Sequence, residues 1–180
     1  MNASLVLTVI GPDRPGLVET LAATVAQHGG NWEQSRMAHL FGQFAGILKV
    51  SVPADQLAAL RGALEQLENR GLRVVSEAVA SHESQDFRPF HLEIVGNDRV
   101  GIVRDIARAL AARGVNVEEL DSRCESAPMA GSLMFTATAL LRVPDSVAIE
   151  ELRATLEGIG DDLMVDVCLV PIEERRTMRD

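Results

Sequence analysis

The chain has 180 residues, 47% of them hydrophobic and 24% charged, with 17 Lys and Arg against 26 Asp and Glu for a formal charge of −9. At about 100–150 residues per domain this is one large domain or two small ones, and its apolar content argues against disorder. The charge is uneven, −1 over residues 1–80 and −7 over residues 89–180; with no basic tract to neutralise phosphates, this speaks against direct nucleic-acid binding.

The first element in chain order is a strand, since Leu5–Ile10 alternates and is rich in β-formers. Gly11-Pro12-Asp13 turns the chain, with Asp13 placed to cap a helix and Pro15 tolerated in its first turn. Leu17, Leu21, Ala22 and Val25 mark one helical face that ends at Gly29-Gly30. Asn31–Leu40 and Phe44–Val52 form a hairpin through Phe41-Gly42. Leu57, Leu60, Leu64 and Leu67 predict a second helix that stops near Gly71, and Leu72–Val79 closes the set as a strand.

The pattern then starts again. LVLTVIGPDRPGLVETLAATVAQHGGNWEQSR returns at a constant offset as HLEIVGNDRVGIVRDIARALAARGVNVEELDSR, with Gly11 on Gly96, Asp13 on Asp98, Arg14 on Arg99, Gly16 on Gly101 and Asn31 on Asn116. The second set predicts Phe90–Val95, Val100–Arg113, Asn116–Cys124, Gly131–Val143, Ser146–Ile159 and Leu163–Leu169. Domains are expected at 1–80 and 89–170, with 81–88 a polar linker and 171–180 a frayed tail. The order βαββαβ, twice, predicts an α+β chain of two tandem ferredoxin-like domains. Each is a four-stranded antiparallel sheet with two helices on one face. Val6, Val9, Phe44 and Leu48 are expected on the uncovered face, which would meet the other copy or another subunit.

Each strand-to-helix turn directs unpaired helix N–H groups towards a carboxylate or phosphate. The spacing fits neither a P-loop nor a dinucleotide fingerprint, and a capped helix after a tight turn also explains either copy taken alone. Gly16 and Gly101 would let a ligand or a neighbouring backbone approach closely. Asn31 and Asn116 suit either the amino group of a small zwitterion or a turn. Arg14 and Arg99 would pair a ligand carboxylate or lie solvated beside Asp13 and Asp98.

These residues and the duplicated order resemble the ACT domain, and the chain resembles tandem ACT proteins of the glycine cleavage system transcriptional repressor type. GPDRPG, GNDRVG, HGGNW, RGVNV and the stretch holding Ala127, Pro128, Gly131 and Phe135 carry that resemblance. It implies an amino-acid sensor, with glycine the favoured ligand, that controls transcription by binding a LysR-type activator. The assembly expected is a cytoplasmic homodimer. Carried over, the ligand-binding positions are Asp13, Arg14, Pro15, Gly16, Leu17 and Asn31, then Asp98, Arg99, Val100, Gly101, Ile102 and Asn116. Val100 in place of Pro15, and Val117 in place of Trp32, mean the two sites need not be equal.

The rival readings are an enzyme, a ligand-free interaction module and a regulator of an amino-acid metabolic enzyme. No catalytic residue, metal or cofactor is expected: His28, His39, His82 and His91 show no repeated spacing to Cys124, and Cys168 reads as packing in the last strand. Two cysteines make no disulfide framework, and no Cys/His cluster has zinc spacing. No apolar run approaches the ~18 residues of a membrane helix, and no basic segment precedes the first apolar stretch, so neither a span nor a secretory leader is expected.

Overall fold

A computed structural model of the chain describes residues 2–78, 86–126 and 132–172. Most of the expected linker and tail, and the signal at Ala127, Pro128 and Gly131, lie outside the described residues. The chain divides into two compact units, Met1–His82 and Glu83–Asp180.

The first unit runs β1 (Asn2–Pro12), α1 (Leu17–Gln27), β2 (Asn31–Leu40), β3 (Gln43–Pro53), α2 (Leu57–Gln66), a 3-10 turn (Leu67–Arg70) and β4 (Arg73–Ala78). The second runs β5 (Phe87–Asn97), α3 (Ile102–Ala111), β6 (Asn116–Ser126), β7 (Leu133–Pro144), α4 (Ile149–Leu163) and β8 (Val165–Pro171). Their sheets have the orders β2-β3-β1-β4 and β6-β7-β5-β8, with every pairing antiparallel. This is the ferredoxin-like βαββαβ arrangement twice, as the repeat predicts.

Period-two alternation sorts each strand between a helix-covered face and an open one. In the first unit Leu5, Leu7 and Val9 of β1 and Leu48, Val50 and Val52 of β3 are buried with residues of α1 and α2, among them Leu21 and Leu60. In the second, Phe90, Leu92 and Ile94 of β5 share a core with Ile106 of α3 and Leu152 and Leu156 of α4. Burying a side chain of this size contributes about 1.5–3 kcal/mol, so these two layers supply most of each unit's cohesion.

The face assignment of the first sheet changes here. Val6 lies on the open face as expected, but Val9 and Leu48 lie in the core and Phe44 packs against it. The open face carries Ile10, Ile47 and Val75 beside Val6, the opposite parity of the same strands. The helix starts change as well. Helix α1 begins at Leu17 rather than at Asp13, because Gly16 takes φ +90° and redirects the chain just before the first helical turn. Helix α3 likewise begins at Ile102, after Gly101 at φ +107°. Cys168 is exposed rather than packed, opposite Glu93, since Val165 and Leu169 take the inward parity of β8.

Candidate functional site

The loop between β1 and α1 is anchored at both shoulders. The Asp13 N–H donates to the Gly42 carbonyl at 2.8 Å. The Asp13 carboxylate lies 3.6 Å from His39 Nε2, and that nitrogen accepts the Gly42 N–H at 3.2 Å. Arg14 reaches across the sequence to donate to the Arg70 carbonyl, at the end of the 3-10 turn.

The second unit builds the same frame with different chemistry. The Asp98 N–H donates to the Leu133 carbonyl at 2.8 Å, and the Asp98 carboxylate faces the Cys124 thiol. Arg99 Nη2 approaches the Met164 sulfur at 3.2 Å, at the junction of α4 and β8. Partial desolvation, and then the Asp98 carboxylate, push the Cys124 thiol above its ordinary pKa, the opposite of what an activated nucleophile needs.

In both units, then, the Asp fastens the loop to the neighbouring hairpin and the Arg fastens it to the junction before the last strand. Leu17 and Ile102 are core side chains, 5% and 2% exposed, which leaves only their backbone groups for a ligand. Pro15 and Val100 are exposed. Among the described residues no side chain caps α1 or α3, so the first N–H groups of each helix keep hydrogen-bonding capacity for a bound anion. At the first loop a cavity of about 490 Å³ is lined by Asp13, Arg14, Gly16 and Leu17, with Glu19 and Phe44 beside them. Four of the six candidate residues of that unit meet there.

Asn31 and Asn116 do not join their loops. Asn31 pairs with Ser51 at one end of the sheet, whereas Pro12 pairs with Gln43 at the other. The two ends lie roughly 26 Å apart along β3, at ~3.3 Å per residue. Asn116 pairs with Arg142, while Asn97 pairs with Met134, so the second unit repeats the separation. Within one unit, then, no single small-ligand pocket holds both the loop and its Asn.

Two partners of the loop Asp are missed by sequence reasoning, His39 and Cys124. Their signal is present: the offset between them is the one that carries Gly11 onto Gly96 and Asn31 onto Asn116. Next to the second loop, Arg104 and Asp105 of α3 form a two-pronged pair at 2.8 and 2.9 Å. The Arg104 guanidinium holds the Asp105 carboxyl below the usual carboxylate range. Among the described residues, no three His, Cys, Asp or Glu side chains converge as a metal site, and no helix is long and apolar enough to cross a membrane.

Models of the ACT domain match residues 3–75 and residues 90–157. A solved structure of an unknown protein from Galdieria sulphuraria is 32% identical, with a TM-score of 0.83 over 96% of this chain and 99% of that one. A solved candidate glycine cleavage system transcriptional repressor has a TM-score of 0.68 at 20% identity, covering 94% of this chain and 97% of its own. At that identity the likeness is one of fold. A UPF0237 protein of Methanopyrus kandleri is 31% identical over 87 residues, which span 48% of this chain and 93% of that protein.

Proposed function

This chain belongs to the ACT domain family, and from that premise we propose that it is an amino-acid-responsive regulatory protein acting through a protein partner rather than an enzyme. The observation that carries the reading is the cavity at the first loop, where an uncapped helix start meets Asp13, Arg14, Gly16 and Glu19. A zwitterion suits that setting. Its carboxylate accepts from the N–H groups of the first turn, and its ammonium group faces the carboxylates of Asp13 and Glu19.

The separation of Asn31 from its own loop supports a site completed by a second copy of the chain in a homodimer. A ligand there favours one state of that assembly, and a partner that prefers the other is released. The finer form of the proposal is a cytoplasmic repressor that holds a LysR-type activator and lets go when glycine binds. The net charge of −9 supports action through protein contacts rather than on DNA. The second reading, a ligand-free interaction module, is favoured by one observation: the Arg side chains of both loops already have structural partners.

Thermal unfolding in the presence of each amino acid separates the two. At about 10 mM, a ligand with Kd near 100 μM adds roughly 2.7 kcal/mol of stability. A shift with glycine supports the repressor reading. A shift with another amino acid keeps the sensor and removes glycine. No shift with any of them leaves the interaction module.

A further inference from the structure

Gly16 and Gly101 hold the same place in the two units, and what stands before them differs. A Cβ built on Gly16 meets nothing within 4 Å. A Cβ built on Gly101 lies 2.9 Å from Arg104 Nη2 and 3.2 Å from Asp105 Oδ2. The repeat places Glu19 and Thr20 where the second unit has Arg104 and Asp105.

We propose that the two loops are unequal receptors: the first takes the amino acid, and the second is closed by its own Arg104–Asp105 pair. This rests on the amino-acid-binding reading and adds which loop does the binding. Arg104 donates through Nε and Nη2 to both oxygens of Asp105, a planar, charge-assisted geometry that favours the guanidinium's position beside Gly101. It stands over the second loop, in the space that lies open over the first.

First-turn charge does not separate the loops, since α1 carries Glu19 there and α3 carries Asp105. What differs is position: Asp105 is tied to Arg104, and both side chains stand against Gly101, whereas Glu19 lines the first cavity and leaves the space before Gly16 open. A zwitterion finds an open approach to the helix N–H groups, with an acceptor for its ammonium group, at the first loop only.

The test follows the backbone amide signals of Gly16 and Gly101 in the ¹⁵N-labelled full chain. Glycine is added first, then each other protein amino acid, to about 10 mM, the range in which a weak metabolite site fills. The Gly16 signal is expected to titrate, with Gly101 responding at least about tenfold more weakly, a difference of roughly 1.4 kcal/mol. The double exchange R104E/D105T gives the second loop the residues of the first, and should bring Gly101 into the same concentration range as Gly16. The reverse exchange E19R/T20D should suppress the Gly16 response. R104A alone, a milder change, should restore part of the Gly101 response. Equal responses in the unaltered chain, a response of Gly101 alone, or a silent Gly101 in well-folded R104E/D105T and R104A would overturn the inequality while leaving amino-acid binding intact. Silence of both loops towards every amino acid would overturn the binding reading, and this inference with it.

Discussion

Asp13 sits 3.6 Å from His39 Nε2, and the equivalent Asp98 faces the thiol of Cys124 and helps keep it protonated. One frame is thus built with two different side chains on the facing strand. In the second unit the contact is readable through thiol chemistry. Asp98→Asn removes the charge that helps hold the Cys124 thiol protonated, so its pKa falls towards the ordinary value. In a C168S background, alkylation of Cys124 near neutral pH should speed up, while desolvation, the larger cause, still keeps the thiol above its ordinary value. An unchanged rate would mean that Asp98 does not govern the thiol.

Gly96 lies near the end of β5 against the α4–β8 junction, where an added Cβ would sit 2.7 Å from Val165 Cα and 2.9 Å from the Met164 carbonyl oxygen. Both neighbours are backbone, so neither can swing aside. Gly96→Ala should cost about 1–3 kcal/mol in urea unfolding. Gly158, inside α4, has nothing within 4 Å of its added Cβ. Gly158→Ala should therefore stabilise by about 0.5–1 kcal/mol through helix propensity. Opposite signs for two identical substitutions distinguish close packing from backbone freedom.

The internal repeat makes the order of elements legible, because every strand and helix signal is read twice. Which face of the first strand turns inward is not legible. Leu5, Leu7 and Val9 on one parity and Val6 and Ile10 on the other are all apolar, and only the buried helix stripes decide between them. Local rules place the helix start too early for a related reason. Asp13 and Pro15 fit those capping rules, but the left-handed Gly16 overrides them. The loop arginines lie furthest from local pattern, since the partners of Arg14 and Arg99 are 56 and 65 residues away. Asn31 and its loop belong to one motif in sequence, yet the register puts them at opposite ends of the sheet.

Phe41 and Gly42 form the two-residue turn between β2 and β3, at φ +47° and +75°. Positive φ at both central residues suits a type I′ turn, which favours Asn or Gly at the first position. Phe41 bears the steric cost of a left-handed β-carbon while remaining 97% exposed, so burial offsets none of it. Phe41→Asn should raise stability by about 0.5–1 kcal/mol, measured as a higher urea midpoint with unchanged slope. A loss of stability would show that the ring has a partner in the folded assembly, and size-exclusion of the same variant would then reveal a change in assembly state.

The Arg104–Asp105 pair makes a pH prediction whose sign follows from the direction of the shift. Arg104 holds the Asp105 carboxyl below its ordinary value in the folded chain, so the unfolded chain binds this proton more tightly. The pair's contribution is present above the ordinary aspartate range and is lost as pH falls through the lowered folded value. Arg104→Ala should therefore lower the melting temperature slightly at neutral pH, and the difference from the unaltered chain should shrink towards zero as the pH falls below the ordinary aspartate range. High salt should shrink it too, because the guanidinium is largely exposed. A deficit that persisted undiminished in acid would assign the effect to lost packing of the arginine stem, and the pair would then hold the second loop closed by its shape rather than by its charge.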